Sequence, residues 1–598
     1  MYKIFIDETE ISVSENSTIL DAAQSIGIDI PTLCFYRMSQ NGQKIVFDDS
    51  SCQICLVKAN GRFVPACSTK VQDLMIVESE TEEIRQLRTT ALELLLSDHA
   101  GDCIAPCQQG CPAHLNIPQM LKEIENANWE NAIQIIRQRI ALPSTLGRIC
   151  SRPCEKVCRR AQTDGAVAIC QLKRFISDTD LGKETPFYPK AHRPTDRNIA
   201  VIGAGSSGLS AAYYLTLAGH QVTLFEKESY CGGRLRKYNE NELPIDVLET
   251  EIDYILSIPV PNSIDLRLGE EVDLRNAEHL NQLLTNFDAV ILAFGSETTQ
   301  QFMPKQNLDK ASPSEICPSS SNLNPELKLS LDLNTKGSNS ESSIKTISQN
   351  NNSNLILNSL KIGSKGIVVQ SPTYQTSIAS FFAIGTSVRG NNMIVRSVAD
   401  GREVSEAIEN YLRKKKNENS SKEQTTQKSP FNPAKQFRAR VGKLDASEMS
   451  IFQSAANPCK RIEPLDAGVD EYSFETAQSQ AKRCYRCNCQ GQENCRLLKA
   501  AQKYDVHPEQ WNNQRPRIKW NRSGSLVYEP AKCIKCGLCI AITRQFSEPL
   551  GLTFIGRGFD VQVQTPFDLP IEKALEKTAE LCIQACPTGA LYFSERVI

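Results

Sequence analysis

No stretch of this 598-residue sequence stays apolar for the roughly 20 residues that a bilayer-spanning helix requires, so direct membrane insertion is not expected. The first residues, Met1-Tyr2-Lys3-Ile4-Phe5-Ile6-Asp7-Glu8, lack the basic start and apolar run of a secretory signal, which points to a cytoplasmic chain in a reducing compartment. Net charge is nearly absent: 67 Lys and Arg against 69 Asp and Glu leave −2. Together with 7% aromatic residues, that balance argues against a nucleic-acid surface as the main purpose. No Ser/His/Asp triad or paired-carboxylate motif has supporting context. Cysteine is the opposite case. The 23 cysteines lie in tight groups separated by long cysteine-poor stretches, unlike a short, uniformly dense disulfide scaffold. Grouped thiolates in a long chain imply metal.

At roughly 100–200 residues per domain, several domains are expected, mixing α/β and α+β architecture. Residues 1–80 begin with alternating apolar and polar residues at Tyr2–Ile6 and Glu10–Val13, a hairpin pattern, followed by a short helix over Ser17–Ala23. Residues 81–190 are helical, with apolar residues three and four apart in Glu80–Leu96, Ile117–Ala127 and Trp129–Ile140. Residues 191–412 open with the strand Ile199–Ile202, a glycine turn, a helix over Ser207–Ala218 and the strand Gln221–Glu226, a βαβ unit of a parallel sheet. Further strands are expected at Asp288–Ala293, Gly366–Val369 and Phe381–Gly385, and a helix at Val398–Leu412. Between them, residues 300–360 are rich in Ser, Asn, Lys and Leu and read as a low-complexity insertion. A linker over 413–475 precedes two cysteine-rich modules, 476–515 and 516–598. The run Arg413-Lys414-Lys415-Lys416 reads as a solvated helix end or a docking patch for an acidic partner.

Four cysteine groups carry the chemistry. Cys34, Cys52-x2-Cys55 and Cys67 suit a [2Fe-2S] cluster, in which two thiolates hold each iron; zinc also takes four thiolates, usually as two C-x2-C pairs. The second group is Cys103-x3-Cys107-x3-Cys111-Pro, then Cys150-x3-Cys154-x3-Cys158 and Cys170. Its seven thiols fall one short of two [4Fe-4S] clusters; His99-x3-Cys103 resembles the start of a cluster motif in the large iron–sulfur subunit of complex I, which implies His99 as the eighth ligand, the alternative being an ordinary histidine at a helix end. The provisional division places His99, Cys103, Cys107 and Cys158 on one cluster, and Cys111, Cys150, Cys154 and Cys170 on the other. The third group, Cys484-x2-Cys487-x-Cys489-x5-Cys495, is compact enough to close on one centre, a [4Fe-4S] cluster or zinc. The fourth, Cys533-x2-Cys536-x2-Cys539 with Cys586-Pro587, has the ferredoxin arrangement for one [4Fe-4S] cluster and leaves Cys582 as a vestige. Cys231, Cys317 and Cys459 have no ligand spacing around them.

Gly203-x-Gly205-x2-Gly208 lies between a strand and a helix, with Glu226 ending the next strand. Glycines at these positions let the backbone approach a pyrophosphate at the helix N-terminus, and an acid in that place accepts from a ribose hydroxyl. Ser207, within the glycine turn, and Lys227, after Glu226, belong to the same candidate site.

The first cysteine group resembles the plant-type, β-grasp [2Fe-2S] module that begins the large iron–sulfur subunit of respiratory complex I and related hydrogenase subunits. The Cys34–Cys52 gap exceeds that pattern and implies an enlarged loop. Gly147-Arg148-Ile149-Cys150 through Cys158-Arg159-Arg160, then Val167-Ala168-Ile169, resembles the helical iron–sulfur domain of the glutamate synthase small subunit and of dihydropyrimidine dehydrogenase, and the likeness continues to about Leu412. Gly232-Gly233-Arg234-Leu235 and Phe382-Ala383-Ile384-Gly385 resemble later motifs of these flavoproteins, implying FAD in a Rossmann-like domain. Thr386 stands where that family has aspartate, a carboxylate lost from the flavin ribityl region. The family also carries an NADPH domain between the positions of Gly295 and Phe382; here that interval holds no G-x-G-x2-G, which implies its loss. Gly551–Gly558 and Pro587–Leu591 resemble the ferredoxin-like portions of complex I and hydrogenase subunits.

The resemblances together imply an electron-transfer iron–sulfur flavoprotein subunit of a multisubunit oxidoreductase with FAD, one [2Fe-2S] and about four [4Fe-4S] clusters. Its implied partners are an NADH-oxidising flavoprotein subunit and a small [2Fe-2S] subunit of complex I or hydrogenase type, with ferredoxin or a hydrogenase or dehydrogenase subunit beyond. A self-contained NAD(P)H-dependent reductase and a non-catalytic iron–sulfur wire are the alternatives. No catalytic side chain is singled out.

Overall fold

Alternating side chains place Ile4 and Ile6 on one buried face, and Tyr2–Ile6 pairs antiparallel with Thr9–Val13 as the pattern predicts. A computed structural model describes residues 1–40, 43–48, 51–99, 102–300, 360–390, 393–418, 444–454, 457–463, 472–490, 495–504, 506 and 521–594. The low-complexity stretch from 301 to 359, with Cys317, lies outside the described residues. The chain divides into two units: Met1–Ile136 with Ser151–Asp180 and Pro430–Ile598, and Arg137–Cys150 with Leu181–Ser429.

In the first unit, the N-terminal hairpin extends into a five-stranded sheet. Ile76–Glu78 runs parallel to Tyr2–Ile6, followed by Leu56–Ala59 and Arg62–Pro65. Helix Ile19–Ser25 packs on it, its start set by a capping box: Thr18 Oγ accepts from Asp21 N at 3.1 Å, and the Asp21 carboxylate accepts from Thr18 N at 3.0 Å. The lengthened segment after Cys34 is a hairpin, Phe35–Gln40 with Gln43–Asp48.

Helices Glu82–Ser97, Ile117–Glu125 and Trp129–Arg137 follow the predicted periodicity. The last ends at Arg137, short of Ile140, and the next helix opens at Pro143.

Downstream of the second unit, the chain returns to this helical domain. Helix Phe474–Ala481 lies on Ile117–Glu125, and Phe474 packs edge-on against Trp129 at 5.0 Å and Phe175 at 5.2 Å. Arg461 pairs with Glu155 at 3.0 Å, and buried Arg483 donates to Asp164 and to the Gly165 carbonyl. Within the expected linker 413–475 and module 476–515, these described residues pack on the helical domain. Helix Ala446–Ser454 and residues 457–463 and 472–490 complete the helical domain, because its buried arginines and carboxylates find their partners there. Residues 521–594 form a three-stranded antiparallel sheet, Asn521–Ser523, Leu526–Tyr528 and Leu591–Phe593, with helices Leu538–Gln545 and Ala579–Ala585.

The second unit is a parallel sheet in the order Asp265–Leu268, Gln221–Glu226, Asn198–Ile202, Ala289–Leu292, Phe381–Ala383. Helices Ser206–Leu217 and Ile394–Glu418 pack on one another. The latter overruns the expected end at Leu412, and Arg413, Lys414 and Lys415 are exposed near its end. Among the described residues, Gly366–Ile367 pairs with Ile362–Gly363 in a separate two-stranded ribbon.

Candidate iron–sulfur centres and nucleotide site

The four N-terminal thiols meet. Cys34 Sγ lies 3.3 Å from Cys52 Sγ, and Cys55 Sγ lies 3.3 Å from Cys67 Sγ; all four are buried. Hydrogen bonds from Cys52 and then Cys67 hold the Cys34 thiol far below its ordinary range. Gln53, inside the C-x2-C turn, has φ 57°, and Arg486 (φ 48°) and Lys535 (φ 59°) occupy the same left-handed conformation in Cys484-x2-Cys487 and Cys533-x2-Cys536. Each non-glycine residue held there costs about 1–2 kcal/mol. The turn geometry aims backbone N–H groups at sulfur: Arg486 N donates to Cys484 Sγ and Lys535 N to Cys533 Sγ, both at 3.3 Å.

The remaining thiols sort differently from the sequence expectation. Cys107, Cys158, Cys484 and Cys487 line one small cavity, with Arg159 and Tyr485 in its wall. Burial raises Cys107 well above its ordinary value, and its neighbours Cys158, Cys484 and Cys487 raise it further. Cys103 is also raised, by burial and then by Cys489 and Cys495. Burial and Cys489 push Cys495 up to about 11. These surroundings set Cys107 beside Cys158, Cys484 and Cys487, and Cys103 beside Cys489 and Cys495. Successive cysteines point toward different neighbours.

Cys154 hydrogen-bonds Cys170 and feels Cys111. Cys150 caps helix Pro143–Ile149 in the second unit, and His99 is buried four residues ahead of Cys103. Cys533, Cys536 and Cys539 face Cys586. Cys582 is fully buried, with its Sγ 3.8 Å from the Thr578 hydroxyl and from the Cys539 carbonyl. Cys231 is buried and Cys459 donates to the Ser479 carbonyl.

Among the described residues, no three His, Cys, Asp or Glu side chains are gathered to hold a single metal ion. The thiol sets suit multi-iron clusters, each of which places several atoms between its ligands. Buried thiols kept protonated must give up those protons when metal binds.

Charged side chains next to these cysteines carry no motif of their own. Asp102 and Arg159 form a buried ion pair, and Arg159 also hydrogen-bonds Cys487. Lys532 pairs with Glu529 at 2.7 Å, both buried, and hydrogen-bonds Cys489. Arg496 donates to the Phe35 and Ala585 carbonyls, each at 2.7 Å, thereby tying the segments that carry Cys34 and Cys586. The signal available in sequence is position: Asp102, Arg159, Arg496 and Lys532 each abut a candidate ligand.

In the second unit, Gly205 caps helix Ser206–Leu217 without a side-chain bond, and a Cβ there would meet nothing within 4 Å. That open approach to a helix N-terminus of free N–H groups fits a pyrophosphate. A Cβ at Gly208 would instead lie 1.8 Å from the Gly203 carbonyl oxygen, so that glycine serves helix–turn packing. Glu226 is buried and accepts from Ala204 N at 2.8 Å and Glu228 N at 3.1 Å, which orient the carboxylate while leaving lone pairs for a ribose. Ser207 is buried at the start of the helix, Gly233 follows Gly232, whose N–H donates to Ala204 O at 2.9 Å, and Lys227 and Arg234 are exposed. Thr386 opens helix Thr386–Arg389 behind Gly385. Fully buried Asp400 accepts from Gly385 N at 3.1 Å and pairs with Arg389 and, at 2.9 Å, with Arg396, so a carboxylate braces this motif from another helix.

Family models match three segments of the chain. A family described as a 2Fe-2S iron–sulfur cluster binding domain matches residues 1–82, dihydropyrimidine dehydrogenase domain II with a 4Fe-4S cluster matches 81–185, and an NAD(P)-binding Rossmann-like domain matches 201–259. The chain is a multidomain iron–sulfur protein with a Rossmann-like nucleotide domain. Similar proteins include the beta subunit of NADP(+)-dependent formate dehydrogenase from Moorella thermoacetica, 36% identical over 32% of this chain and 29% of that one. The beta subunit of NADPH-Fe(3+) oxidoreductase from Geobacter sulfurreducens is 37% identical over 33% of this chain and 29% of its own length. The PreT subunit of NAD-dependent dihydropyrimidine dehydrogenase from Escherichia coli is 31% identical over 35% of this chain and 51% of its own. The chain thus spans under a third of the first two relatives and about half of the third. Among its described residues, no helix is long and apolar enough to cross a membrane.

Proposed function

We propose that this chain is an electron-transfer iron–sulfur flavoprotein subunit of a larger oxidoreductase. It relays electrons between an NAD(H)-linked flavoprotein partner and ferredoxin or another redox subunit. The supporting observation is that Cys34, Cys52, Cys495, Cys536 and Cys582 share one buried apolar core, against which Cys103, Cys533, Cys539 and Cys586 pack. Members of all four thiol groups therefore adjoin within one water-poor medium. When bound, the clusters supply one-electron chemistry, and FAD links it to two-electron donors or acceptors.

The protein's own residues set distance and electrostatics. Arg496 holds the Cys34 and Cys586 segments together and itself follows Cys495, so it fixes the spacing among three thiol groups. The loops that approach the nucleotide would be those of Gly205, Gly233 and Gly385, with Glu226 on the ribose and Asp400 bracing the ribityl side.

Anaerobic purification followed by iron and flavin quantification tests the reading. One [2Fe-2S] and four [4Fe-4S] clusters correspond to about 18 irons, with one FAD. An iron content near 10, or a stable monomer that reduces a dye with NADPH unaided, would overturn it.

A further inference from the structure

We propose that the run Cys484–Cys495 is divided between two [4Fe-4S] clusters: Cys484 and Cys487 share one with Cys107 and Cys158, whereas Cys489 and Cys495 share the next with Cys103. The inference rests on reading these thiols as cluster ligands, and it assigns each cluster ligands from both sides of the second unit, more than 300 residues apart in sequence.

Geometry supports the division. Cys107, Cys158, Cys484 and Cys487 together line a single cavity, to which Cys489, Cys495 and Cys103 do not contribute. The latter three act on one another instead. The backbone turns between Cys487 and Cys489: Cys489 N donates to the Asp102 carbonyl at 2.9 Å, which fixes it beside the segment that leads into Cys103. With only Asn488 between them, Cys487 and Cys489 place the two clusters in direct succession along the peptide.

Each cluster also has its own buried cation. Arg159, paired with Asp102, hydrogen-bonds Cys487; Lys532, paired with Glu529, hydrogen-bonds Cys489. Hydrogen bonds and positive charge at ligand sulfurs raise a cluster's reduction potential. Arg159 and Lys532 are thus positioning residues that set the potentials of neighbouring clusters separately.

The test uses the full chain, purified anaerobically, with the [2Fe-2S] electron paramagnetic resonance signal as an internal standard. Cys107→Ser and Cys484→Ser are expected each to lose about four irons and the same signal, and the double variant no more than either alone. Cys495→Ser loses a different signal, and Cys484→Ser combined with Cys495→Ser loses about eight irons. The opposite pattern, eight for the first double variant and four for the second, overturns the division. Arg159→Gln and Lys532→Gln keep every thiol and report even where a ligand variant fails to fold. They are expected to lower the potentials of two different signals; a shift of one common signal, or none, overturns the division. Zinc in place of iron in the unaltered chain would overturn the cluster reading itself, whichever way the thiols pair.

Discussion

Arg88→Met is expected to destabilise the first unit by about 3–5 kcal/mol. The Arg88 side chain is 1% exposed and donates to four acceptors: Glu80 at 2.7 Å, Tyr504 OH at 2.7 Å, and the carbonyls of Leu56 at 2.6 Å and Ser79 at 3.0 Å. Methionine fills similar volume but leaves the buried carbonyls and the phenol without their donor. The consequence reaches function, because Leu56 follows Cys55 directly and Tyr504 ends the helix that starts just after Cys495. Glu80→Gln is the control. The Glu80 side chain is 41% exposed, so losing its charge should cost under about 1 kcal/mol. Chemical denaturation followed through the [2Fe-2S] absorbance measures both; equal costs for the two variants would show that the buried acceptors do not depend on Arg88.

The second large effect separates nucleotide binding from folding within one glycine turn. Gly208→Ala puts a methyl group 1.8 Å from the Gly203 carbonyl oxygen, a backbone atom that cannot rotate away. Helix Ser206–Leu217 must shift off its strand, at a cost of about 3 kcal/mol or more, and nucleotide is lost with it. Gly205→Ala meets no protein atom within 4 Å and has an ordinary extended backbone, so its stability should stay within about 0.5 kcal/mol of the original. Its methyl group nevertheless occupies the pyrophosphate approach, and nucleotide affinity should fall at least tenfold, about 1.4 kcal/mol. Flavin titration and thermal unfolding of both variants give the four readings. Unchanged affinity in Gly205→Ala would remove the pyrophosphate from this turn.

Much of the local structure was legible because its causes are local. Alternation set the hairpin Tyr2–Ile6 with Thr9–Val13, and the apolar run, glycine turn and second apolar run set the βαβ unit to within a residue or two. The strand expected at Gly366–Val369 forms over Gly366–Ile367, but its pairing with Ile362–Gly363 depends on neighbours that composition does not name.

By itself, the sequence determined which thiols are candidate ligands, the order of the domains that carry them and the glycine turn of the nucleotide site, since each depends on residue type and short spacing. Only the tertiary structure decided which thiols stand together. Cys484 to Cys495 are close enough in sequence to close on one centre, but a cluster selects ligands by position in space. The buried pairs Asp102–Arg159 and Glu529–Lys532, together with the helices that return to 151–180, turn adjacent cysteines toward different partners. Buried charges must be paired where they lie, and those pairings join residues hundreds of positions apart that no spacing rule relates.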